Sequence, residues 1–111
     1  MNRWTGIGRV TKDPKLDVQG RRPSCELRIA VKRAGRDGRD GHFDVVCFDD
    51  QAVASADYVK VGREIAIDGR LVFEEFQTQN GSYTSRVYII AERVEFLRAG
   101  PSTGSSYNLS T

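Results

Sequence analysis

A chain of 111 residues with 39% hydrophobic and 29% charged residues has room for one soluble domain and one modest core. No apolar run approaches membrane-spanning length, and the opening MNRWTGIGR lacks the apolar segment of a secretory signal, so a cytoplasmic location and no membrane partner are expected. A formal charge of +2 is too small to demand an acidic partner, and Cys25 and Cys47 have no metal-ligand spacing.

Residues 2–10 read as a first strand with little alternation, carrying Gly6 and Gly8 inside it. Asp13-Pro14 breaks it, and residues 16–18 resume it. Cys25, Leu27, Ile29 and Val31 alternate with Glu26, Arg28, Ala30 and Lys32, the period of two of a half-buried strand. Both cysteines fall among inward positions and read as small buried hydrophobes. RAGRDGRDG, residues 33–41, is a solvated loop, and residues 43–48 give a third strand.

Asp49 and Asp50 precede an alanine-rich run and are expected to cap a helix over residues 51–59, with Ala52, Val53, Ala56 and Val59 on its buried face. Gly62 is expected to end it. A fourth strand starts at Glu64 and extends through Phe76, Asn80-Gly81 signals a hairpin, and residues 83–97 form the fifth. Its apolar phase slips between Ile89 and Val94, which predicts a bulge near Glu92. Residues 99–111 are small and polar and read as a disordered tail. One short helix between strands three and four suits an all-β, five-stranded Greek-key barrel, the OB-fold, over residues 1–98.

Catalysis finds little support. His42 is the single histidine, no nucleophile–base set is evident, and the adjacent Glu74 and Glu75 point to opposite faces of a strand. No cofactor or metal is implied. Cations on the polar phase (Arg3, Arg9, Lys12, Arg28, Lys32, Arg36) and aromatics among polar neighbours (Phe48, Phe76, Tyr83, Tyr88) form a recipe for holding single strands. Every base has a face to stack, and every nucleotide has a phosphate. The same composition equally fits a solvated barrel face with core aromatics. Phe48 serves either as a stacking platform or as an inner-barrel residue, Trp4 as core or subunit contact, and Tyr83 and Tyr88 either pack or stack.

MNRxxxIGR followed by KDP, VVxFxxQAxxxAxYVKxG from Val45, IDGRL at residues 67–71 and VEFL at residues 94–97 together resemble the bacterial single-stranded DNA-binding proteins. The resemblance spans about residues 1–98. It implies an OB-fold, usually a homotetramer with a dimer as fallback, without enzymatic activity. It also implies cooperative, largely sequence-independent binding and protection of single-stranded DNA in replication, recombination or repair. Carried over residue by residue, the family's stacking positions fall on Phe48, Phe76 and His42, and a fourth falls near Gly35, which is no aromatic. Basic positions fall on Arg3 and Lys60. The chain departs from the family at Asp49, Asp50, Glu74 and Glu75, where basic residues are common. Its last residues lack the acidic tip that recruits partner enzymes, so no tail-mediated recruitment is expected. An OB-fold adaptor with weakened DNA binding, acting mainly through protein contacts, is the alternative.

Overall fold

Pro14 divides the first strand of the barrel in two. In the computed structural model, which describes residues 1–32 and 39–97, the order is β1 (Trp4–Val10), β2 (Lys15–Asp17), β3 (Ser24–Val31), β4 (Gly41–Phe48), α1 (Asp49–Tyr58), β5 (Glu64–Gln77) and β6 (Tyr83–Phe96). Arg36 and the tail at 99–111 lie outside the described residues. β1 and β2 both run antiparallel to β3, at Arg9↔Ala30 and Val10↔Ile29 for one and Lys15↔Glu26 to Asp17↔Ser24 for the other. Proline has no N–H to donate, so the ladder is interrupted between them. Taken as one strand they close a five-stranded barrel, β1–β5–β6–β4–β3 and back to β1. The β4–β6 contact at Val45↔Ile89 is parallel and the other pairings are antiparallel, the expected OB arrangement. Among the described residues no helix is long and apolar enough to cross a membrane.

Alternation sets the core. Leu27 and Ile29 of β3, Val45 of β4, Ile65 and Ile67 of β5 and Ile89 of β6 are buried together with Val10. Cys25 stands directly opposite Cys47, both fully buried. The hydrogen bond with Cys47, together with burial, pushes the Cys25 thiol up. The Cys47 thiol lies within reach of Ser55 Oγ at 3.6 Å and of the Cys25 carbonyl at 3.8 Å.

Three local readings change. The buried helix face is Ala52, Ser55, Ala56 and Val59, whereas Val53 is 40% exposed. Ser55 goes inward because its hydroxyl finds the Cys47 thiol. Asp49 does not cap: the N-cap is Phe48, without a side-chain cap bond. Asp49 instead has φ 60, its N–H donates to the Pro23 carbonyl, and its carboxylate is taken by Arg22. The helix ends at Tyr58, with Val59 as its C-cap, rather than at Gly62, whose φ of 95 serves a turn closed by Arg63 N–H on the Lys60 carbonyl. The Asn80-Gly81 hairpin forms as expected, with Gly81 N–H on the Thr78 carbonyl.

The bulge also forms. Asp68 pairs Arg93 and Gly69 pairs Ala91, which leaves Glu92 as the extra residue. Past Leu71, β5 keeps β6 as its ladder partner while β1 has ended its pairing at Trp4↔Gly69. The two strands therefore continue as an arm beyond the barrel, with exposed apolar residues on both sides: Phe73 and Val87 on one, Phe76 on the other.

Candidate nucleic-acid interface

The outward phase of β4 is His42, Asp44, Val46 and Phe48, since Val45 and Cys47 face the core. Directly paired residues share a face, so Ala30, Arg28, Glu26 and Ser24 of β3 line up beside them. Val46 sits beside Ile90, and from there Ile90↔Arg70, Tyr88↔Val72, Arg86↔Glu74 and Thr84↔Phe76 carry the same face out along the arm. One continuous surface therefore holds Phe48, His42 and Phe76. His42 and Phe48 stand at opposite ends of β4, ~20 Å apart at the usual rise of a strand.

Phe48 is half-buried on the outward phase of β4, so it is not an inner-barrel residue. Phe76 is 49% exposed on the arm, and His42 is exposed at the start of β4. Ala30 is buried and pairs with both Arg9 and His42, which sets a cation and an imidazole on either side of it. Arg9 lies 3.9 Å from Asp40. Lys12 borders a cleft with Arg28 and Asp44, and Lys32 is exposed just past β3. Arg3 and Lys60 fall elsewhere. Arg3 pairs with Asp68 at 2.8 Å on the β1–β5 side, and Lys60 sits in the turn beside the end of β1.

Arg22, Arg70 and Arg86, and the partnerships that tie them to the face, escape a strand-by-strand reading. Arg22, from the turn before β3, lies with its guanidinium carbon 4.5 Å above the Phe48 ring and grips Asp49 through two hydrogen bonds, 3.1 and 2.6 Å. That grip holds the Asp49 carboxyl below its usual range. Arg86 stacks 4.7 Å over Tyr88, whose hydroxyl donates to Glu74 at 3.0 Å. Burial, reinforced by Glu74, pushes the Tyr88 phenol up. Arg28 and Arg86 both reach Asp44, at 2.8 and 3.8 Å, and Arg70 pairs with Glu92 at 3.0 Å. Exposed pairs like these are worth under ~1 kcal/mol each, weak enough for a phosphate to replace the carboxylate. Trp4 and Phe43 pack against each other, with centroids 5.9 Å apart, at the margin of the core.

The profile of the Single-strand binding protein family matches residues 1–97. The single-stranded DNA-binding protein of Clostridium tetani is 30% identical over 105 residues, 90% of this chain and 72% of its own length. That of Thermosynechococcus vestitus is 32% identical over 93 residues, 82% of this chain and 78% of its own. Among solved structures, the small single-stranded DNA-binding protein from Streptomyces coelicolor aligns with a TM-score of 0.71 at 23% identity, covering 86% of this chain and 95% of that one. Plasmodium falciparum SSB in complex with ssDNA aligns with a TM-score of 0.75 at 22% identity, covering 88% and 96%. At these identities the two structures speak for the fold.

Proposed function

The chain belongs to the single-strand binding protein family, and from that premise we propose that it binds single-stranded DNA without regard to sequence and protects it during replication, recombination or repair. The observation that carries this reading is the continuous outward face holding Phe48, Phe76 and Tyr88 among Arg28, Arg70 and Arg86. Aromatic faces take the bases, and the arginines exchange their carboxylates for phosphates. In this reading Phe48, Phe76 and His42 stack bases. Arg9, Lys12 and Lys32 meet phosphates near His42, Arg3 and Lys60 are assigned through the resemblance, and Arg36 is assigned from the cation pattern of the sequence. Residues 1–98 make up the binding domain, the work is done on DNA in the cytoplasm, and no bond is made or broken.

Self-association to a homotetramer, with a dimer as fallback, belongs to the same reading. Ile7 supports it, being 54% exposed on the outward phase of β1 next to a cleft shared with Ala66 and Asp68. The adaptor reading keeps one supporting observation: Arg3, Arg22, Arg28 and Arg70 all rest on carboxylates of the chain itself. One experiment separates the two. Titration of the full chain with oligo-dT and with a duplex of equal length, beside a native mass measurement, should give salt-dependent binding of the single strand, much weaker duplex binding and a tetramer mass. Equal affinity for both forms would defeat the proposal, and no binding of oligo-dT would defeat it in favour of the adaptor.

A further inference from the structure

We propose that Arg22 and Asp49 form a latch over Phe48, which a DNA strand opens by taking Arg22 from the carboxylate onto a phosphate. The inference rests on the single-strand binding reading and adds to it a residue and a partner exchange. A planar guanidinium 4.5 Å above a ring occupies the space in which a base would stack, so base and guanidinium exclude one another on that face. Arg22 is not held there by the ring alone. Its fork engages both oxygens of Asp49, and Asp49 is fixed in turn by its φ of 60 and by its N–H on the Pro23 carbonyl. A left-handed backbone at a residue other than glycine is uncommon, and here it aims the carboxylate back at the turn carrying Arg22.

The opposite wall of this recess is also built from paired charges. Arg70 is held by Glu92, and the bulge carrying Glu92 is tied to the helix by Gln51, which donates to the Glu92 carbonyl at 2.9 Å and accepts from Val94 N–H at 2.6 Å. Phe48 therefore lines a recess together with Asp49, Arg70 and Glu92, and Arg22 lies over its ring. Both latch side chains are more than half exposed, so they swing without disturbing the core. A phosphate offers the guanidinium fork the same two-oxygen geometry as a carboxylate. Opening the latch leaves Asp49 to gather a cation while the neutralised phosphate releases one. The Arg22 contact should accordingly add almost nothing to the salt dependence of the natural chain.

The test is a double-mutant cycle read as oligo-dT affinity across a salt series. Asn tolerates the backbone of position 49 and keeps the side-chain shape without its charge. Asp49→Asn should tighten binding roughly two- to fivefold at low salt, the range of an exposed ion pair removed from the unbound state. It should also steepen the salt slope by about 0.7, one phosphate contact. In the Arg22→Ala background the same substitution should leave the slope unchanged. Equal tightening in both backgrounds with no change of slope would overturn the latch and make Asp49 a mere repeller of phosphate. Absence of oligo-dT binding in all four proteins would instead remove the binding reading beneath it.

Discussion

Gly69→Ala should destabilise the fold by about 3 kcal/mol, read as a fall of about 2 M in the urea midpoint with little change of slope, at fixed protein concentration. Gly69 lies in β5 where β6 bulges at Glu92, paired on its other side with Trp4 of β1. A Cβ there would fall on the Ile90 carbonyl oxygen and come within 3.0 Å of the Ala91 Cα. Those are backbone atoms of a strand pinned between two neighbours, so no flexible side chain can give way. The bulge lets the barrel turn its corner, and the glycine lets the strands approach at that corner. Gly20→Ala is the control. A Cβ at Gly20 meets nothing nearer than the Arg22 carbonyl at 3.8 Å, so a change within about 0.5 kcal/mol is expected. Equal midpoints for the two variants would mean that β5 and β6 do not approach at Gly69 as described.

The bulge is a case in which the chain's pattern carried the information. The apolar set slips by one residue between Ile89 and Val94, and the observed pairing leaves Glu92 unmatched at that point. β3 and β4 were legible for the same reason: one buried face with strict alternation leaves no freedom of register. The helix was legible as an element but not in its facing. Hydropathy prefers Val53 inside, whereas Ser55 is fully buried because a thiol from β4 meets its hydroxyl. Asp49 departs from its expected role as a cap for a related reason. A local rule made it a cap, but its partner Arg22 is 27 residues away and reaches it through the β3–β4 register, in which Ser24 stands beside Phe48. The signal for Arg22 was present in that register. Once Cys25 is set opposite Cys47, the residue two before Ser24 falls at the start of the helix. Single-residue patterns along one strand do not contain such cross-strand neighbours, and this surface is built largely from them.

Phe76→Ala should weaken oligo-dT binding by about 1–3 kcal/mol with the salt slope unchanged, because a stacking platform is lost and no phosphate contact goes with it. Its position on the arm makes the change clean. Phe76 is 49% exposed beside Thr84 and takes no part in the buried core, so truncation removes a ring from the surface without opening a cavity. The two preceding glutamates supply a sharper test of the same face. Glu74 pairs across the strands with Arg86 and accepts the Tyr88 hydroxyl, on the side of Phe76, whereas Glu75 stands opposite Ser85 on the reverse side. Adjacent strand residues point to opposite faces, so their charges cannot both meet the same strand of DNA. Glu74→Gln keeps an acceptor for Tyr88 and removes one negative charge from the path. It should tighten binding, because a negative charge beside Phe76 no longer repels phosphate, while Arg86 keeps its approach to Asp44. Glu75→Gln, the matched change on the reverse face, should leave both affinity and slope as they are. If Phe76→Ala binds normally and the two glutamine variants behave alike, the arm lies off the DNA path. The binding surface then contracts to the barrel wall between His42 and Phe48.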